Sequence, residues 1–221
     1  MNQTRIEILK HCFIAAVGLA TFGTGIYLTI QANIGVAPWD CLFLGIEKNF
    51  GIKYGNVAVM TSLIVICVDL LMKERIGLGT LIDAVFTGKV VDFWNWADIV
   101  PQQQSTIMGI VLMIVALFIC GLGQYIYMKV ALCCGPRDSF LVGLSKRLKN
   151  IPIGIVCVMI QAIVLFFGWL LHGPIGIGTL IGAFLMGPIM ELVFRICRFE
   201  AEEVHHQDLF ASIKVISGNN K

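Results

Sequence analysis

The sequence predicts an all-α polytopic membrane protein, with six transmembrane helices as two inverted three-span repeats, each carrying a short re-entrant or interfacial helix. Three observations lead there. The 221 residues are 57% hydrophobic and only 14% charged, with a mean hydropathy of +0.86, too apolar for the surface of a soluble domain. The chain also repeats itself. Ala37-Pro38-Trp39-Asp40 and the apolar run to Gly45 return as Gly135-Pro136-Arg137-Asp138 and a run to Gly143, while Ile76-Gly77-Leu78-Gly79-Thr80-Leu81-Ile82 returns as Ile175-Gly176-Ile177-Gly178-Thr179-Leu180-Ile181. The spacings are 98 and 99 residues. Finally, with the N-terminus inside, the cytoplasmic segments hold eleven Lys and Arg, against Lys48 and Lys53 outside.

Each element follows in turn. Met1 to Lys10 is polar, and Phe13 to Gln31 then supplies about 19 residues, enough for a ~30 Å hydrocarbon core. This run reads as a span and not a signal peptide, because Gly23, Gly25 and Tyr27 reappear as Gly121, Gly123 and Tyr125. Trp39 to Phe50 is too short to cross. Pro38 suits a first helical position and Asp40 the positive end of the helix dipole, so the stretch is a short helix that either re-enters the membrane or lies at its interface. Gly55 to Met72 is the second span, closed by Lys73-Glu74-Arg75. Ile76 to about Trp96 is the third and carries Asp83, Lys89 and Asp92; Trp94 and Trp96 suit an aromatic belt near its end. After the polar turn Asp98 to Ser105, the plan repeats: Ile107 to Tyr127, the short helix Pro136 to Lys149, Ile151 to Leu171, and Ile175 to Ile196. The chain is thus one integral membrane domain over 1–221, with repeat 1 at about 11–98, repeat 2 at about 107–198 and a cytoplasmic tail over 199–221. Three spans per repeat is an odd number, so the second repeat enters from the opposite side. Inverted repeats of this kind recur in secondary transporters, where interrupted or short helices in matching positions mark the substrate site.

The candidate binding residues come from charges where lipid tolerates none. An ionisable group inside a span is costly unless it is paired or hydrated, so Asp83, Lys89, Asp92 and Glu191 should face the bundle interior. Lys89 and Asp92 share a helix face and equally suit a structural ion pair. Glu191 aligns with Asp92, whereas Gly182 stands opposite Asp83 and Pro188 opposite Lys89. Asp40 and Asp138 read either as helix-start carboxylates or as ligand groups. Arg137, at the start of its short helix, either joins the dipole in attracting an anion or is one more cytoplasmic positive charge. Trp39 and Arg137 occupy matching positions, which favours an anionic or aromatic-compatible solute. Thr80 and Thr179 either hydrogen-bond across helices or touch the substrate, and the recurring glycines permit close helix approach.

Other chemistries lack their residues. There is no Ser/His/Asp arrangement, no H-E-x-x-H, no phosphate-binding glycine loop and no dinucleotide fingerprint, so no enzyme and no cofactor is expected. Eight cysteines form no C-x-x-C pair, and His205 and His206 have no further ligands at metal spacing. A net charge of +2 does not point to nucleic acid.

At the early glycine-rich span, at Ala37-Pro38-Trp39-Asp40, and at Gly77-Leu78-Gly79-Thr80 with Gly88, the sequence resembles the YczE/YyaS/YitT family of bacterial integral membrane proteins, most closely its YczE-like branch. The likeness runs from about Gly18 to Arg195. It implies a bacterial inner-membrane location, both termini cytoplasmic by the charge rule, and it carries over no catalytic residue. The expected function is a small-molecule or ion transporter or permease with a midplane site between inverted repeats. The expected partners are the lipid bilayer, the small-molecule or ion substrate and, given the low span count, a second copy in a homodimer. Two rivals stand beside it: a substrate-binding membrane subunit of an ATPase-driven uptake system, and a non-transporting accessory or regulatory membrane protein.

Overall fold

A computed structural model describes residues 5–74, 76–130, 135–148 and 150–199; the expected cytoplasmic tail, apart from Phe199, lies outside the described residues. Eight α-helices and no strand are found among the described residues: α1 (Arg5–Gln31), α2 (Pro38–Phe50), α3 (Tyr54–Leu71), α4 (Leu78–Ala97), α5 (Thr106–Met128), α6 (Pro136–Arg147), α7 (Ile153–Leu170) and α8 (Ile177–Ile196). Their limits have local causes. Pro38 and Pro136 open the two short helices, where a missing N–H costs nothing. Gly51 ends α2 at φ 70°, a left-handed value that glycine adopts without strain, and its N–H closes back on Glu47.

By length and composition, α3, α5, α7, α8 and residues 9–31 of α1 are long and apolar enough to cross a membrane. These are five helices, where the sequence reading expects six. The difference is α4, which has 20 residues but carries Asp83, Lys89 and Asp92. The short helices have 13 and 12 residues, and at 1.5 Å per residue they reach only about 18–20 Å.

α1 and α5 form the centre. A Cβ on Gly25 would strike Cys120 and Ala116, and one on Gly123 would strike Phe22 and Gly18, so small residues here set how closely the two backbones approach. α4 packs on α1, and α8 packs on α5. The short helices then cross over: α2 lies on α7, and α6 lies on α3. Gly45 sits against Leu171, and Gly143 against Met72. Asn49 Nδ2 donates to the Leu171 carbonyl at 2.6 Å and Arg147 Nη2 donates to the Met72 carbonyl at 2.9 Å. Each also donates back into its own helix, to Gly45 and Gly143 respectively. These contacts correspond position for position along the duplicated sequence.

Candidate functional site

The crossing brings the first turns of α2 and α6 together, with α3 and α4 alongside. On α2, Asp40 is 5% exposed and accepts a 2.7 Å hydrogen bond from the hydroxyl of Tyr54, the first residue of α3. The Asp40 carboxylate is thus engaged by a neighbouring helix, and α2 itself begins at Ala37 without a side-chain cap. Phe43, fully buried, meets the Tyr54 ring edge-on at 5.5 Å between centroids.

α6 contributes the cation. The Arg137 guanidinium carbon lies 5.1 Å from the Trp39 ring centroid and 5.0 Å from that of Phe43, so two aromatic faces carry its charge. α4 supplies Asp83, which accepts a 2.6 Å hydrogen bond from Thr87 Oγ1. Gly135, just before α6, packs against this carboxylate: a Cβ there would stand 2.6 Å from Asp83 Oδ2 and 3.8 Å from Asp138 Oδ2. Asp83 and Asp138 thus flank Gly135, with Asp138 open to solvent, and Arg137 stands close enough for its charge to act on Asp40, Asp83 and Asp138.

One guanidinium therefore lies within electrostatic reach of three carboxylates, of which Asp40 is buried, Asp83 half-buried and Asp138 exposed. Buried charge is stable only when compensated, and here the acidic groups are in excess. The arrangement is suited to taking up protons or a cation. The half-buried guanidinium lies against the Trp39 and Phe43 rings.

The remaining candidates lie elsewhere. Lys89 donates to Asn56 Oδ1 and stands 3.9 Å from Asp92. Asp92 accepts the Gly55 amide at 2.8 Å, away from the cluster. Glu191 lies on the surface of α8, bonded to Arg195 at 2.9 Å. Thr80 and Thr179 accept the Gly77 and Gly176 amides, both at 3.3 Å, and so close the starts of their own helices α4 and α8. Three residues were missed by reading the sequence. Tyr54 and Phe43 carried no signal there, being ordinary aromatic residues in apolar runs. Asp69 did carry one, as a carboxylate inside a span; it is fully buried in α3, and neither carboxylate oxygen has a hydrogen-bond partner among the described residues.

Comparison with known proteins gives one family and several relatives. The model of DUF6198, a family of unknown function, matches residues 9–195. The uncharacterized membrane protein YczE of Bacillus subtilis is 29% identical over 185 residues, covering 83% of this chain and 84% of its own. The uncharacterized protein YyaS of the same organism is 29% identical over 178 residues, covering 80% and 88%. An uncharacterized protein of Haemophilus influenzae is 25% identical over 189 residues, covering 85% and 84%. No solved structure matches the chain significantly.

Proposed function

We propose, from the premise that the chain belongs to the DUF6198 family of YczE-like membrane proteins, that it is a small transporter or permease for a small solute or ion, whose binding site is the charged cluster between α2 and α6. The observation that carries this reading is the half-buried Arg137, stacked on Trp39 and Phe43, with its charge acting on Asp40, Asp83 and Asp138. A membrane protein held together only by apolar packing has no use for such a cluster, and intramembrane charges mark solute and ion pathways. The acidic excess favours a cation, or a solute carried together with protons.

In this reading α4 is the sixth span, its charges turned toward protein neighbours, and the two halves are inverted repeats about an axis that passes between Trp39 and Arg137. The matched contacts Gly45–Leu171 and Gly143–Met72, and Gly25–Cys120 and Phe22–Gly123, support it. Both termini then face the cytoplasm, and the membrane is the bacterial inner membrane. α2 and α6 are re-entrant helices that approach the midplane from opposite sides, as in transporters whose discontinuous helices surround a central site.

The test is binding followed by flux. The purified protein is screened for thermal stabilisation by panels of inorganic and organic cations, anions and neutral solutes, and hits are carried into proteoliposome flux assays with and without a proton gradient. Stabilisation by cations that is lost in Asp83→Asn, with flux to match, is the expected result. No stabilisation by any panel and no flux above empty vesicles would sink the proposal.

A further inference from the structure

Gly55 of α3 and Gly88 of α4 pack backbone against backbone, and a Cβ on either would strike the other helix. At this contact Asp92 Oδ1 accepts the Gly55 amide at 2.8 Å. That amide lies in the first turn of α3, where the helix has no acceptor of its own, and the preceding Lys53 offers no side-chain cap. Asp92 therefore does two things: it satisfies the start of α3 and holds α4 to it.

The same parts stand in the second half of the chain. Ile52, Gly55, Val57, Val59 and Met60 return as Ile151, Gly154, Val156, Val158 and Met159, while Gly88 returns as Gly187 and Asp92 as Glu191. Here they are apart. A Cβ on Gly154 or on Gly187 would have no atom within 4 Å. The Glu191 side chain is 72% exposed and held by Arg195, and α7 makes at most marginal contact with α8. Glycine inside a helix weakens it relative to alanine, and no close approach among the described residues requires one at Gly187. Pro188 follows it, removing a backbone hydrogen bond and giving α8 a point at which to bend.

We infer that α7 and α8 close on each other in a second conformation, as α3 and α4 are closed here, and that the two closures alternate. Gly187 then meets Gly154 and Cys157, and Glu191 leaves Arg195 to accept the Gly154 amide. The coupling runs through the short helices. α2 and α6 each touch both α3 and α7, so drawing α7 onto α8 pulls α3 away from α4. The inference rests on the transporter reading and supplies its moving parts: Asp92 and Glu191 are alternate latches, and neither is a ligand residue.

The test uses full-length protein in liposomes, with Cys157 as its only native thiol, and two substitutions, Gly187→Cys and Ala58→Cys. Ala58 is buried at the α3–α4 contact. Copper phenanthroline should join the Gly187→Cys thiol to Cys157. Labelling of the Ala58→Cys thiol by a small methanethiosulfonate reagent should then rise by about tenfold, as the closed α3–α4 state passes from major to minor. Val91→Cys, buried on α4, replaces Ala58→Cys as reporter if that variant does not fold. No disulfide in folded protein, or a disulfide with unchanged labelling, overturns the inference. Because both readouts are conformational, alternation without flux would defeat the transporter reading alone, and flux without alternation would defeat this one.

Discussion

Arg137 rests on Trp39, the residue that holds its own position in the other copy of the duplicated stretch, with the guanidinium carbon 5.1 Å from the ring centroid. Duplication thus set the two positions facing each other, and divergence made them complementary: a flat cation on one side and a flat π-face on the other. Asp40, Asp83 and Asp138 lie within reach of that positive charge.

Replacing Arg137 with leucine leaves those carboxylates uncompensated. We expect a loss of stability at neutral pH of about 1–2 kcal/mol, below the cost of breaking a fully buried pair because Arg137 is half-buried and Asp138 exposed. The loss should shrink as pH falls, because protonated carboxyls no longer need the cation. Arg137→Lys should recover only part of the stability, since an ammonium cannot lie flat on Trp39 and Phe43. Thermal unfolding in detergent at two pH values reads both effects. Equal losses at both would show that Arg137 acts through packing alone.

Tyr54→Phe removes the donor to Asp40 and little else. A destabilisation of about 1–3 kcal/mol is expected, as for a buried carboxylate that loses a hydrogen-bond partner. The ring and its edge contact with Phe43 remain, so the variant should still insert and fold. A neutral outcome in the same unfolding assay would mean that water or another group satisfies Asp40.

Asp83→Asn should preserve folding while abolishing the response to stabilising solutes. The neutral amide removes a buried charge and can still accept the Thr87 hydroxyl through its oxygen. Full retention of solute response would make Asp83 a structural residue and leave the proposed site without its α4 contribution.

Topology is open to a direct measurement. Gln103 lies in the connection between α4 and α5, where its amide bonds the Gln31 carbonyl at the end of α1. A cysteine at Gln103 should react with impermeant reagents added outside intact cells, and thiols at both chain ends should not. Reaction from the cytoplasmic side only would overturn the six-span orientation.

Much of this architecture could be read in the residues, and the reasons it stopped are physical. Pro38 and Pro136 mark both short helices, because proline carries its own backbone geometry. Asp83 stood out because lipid penalises it wherever its partners lie. The partners themselves were hidden. Tyr54 meets Asp40 through a fold in which α3 returns beside α2, and no periodicity encodes that contact. Thr80 and Thr179 invited a cross-helix or a substrate reading, and each also accepts the amide three residues back, from Gly77 and Gly176, which the residue pattern did not announce. The excess of carboxylate over guanidinium emerges only once α2, α4 and α6 are brought to one place.

The crossing of the short helices also constrains how the protein is made. Asn49, near the end of α2, finds its acceptor at Leu171, 122 residues later. At about 5–20 residues per second, the ribosome needs roughly 6–24 s to deliver that partner. Throughout this interval α2 lacks the helix it rests on, and Asp40 waits for an arginine not yet synthesised. A chain stopped after α4 would hold both strands of the problem and neither solution. Splitting the gene between α4 and α5 should therefore yield two fragments that survive only when expressed together.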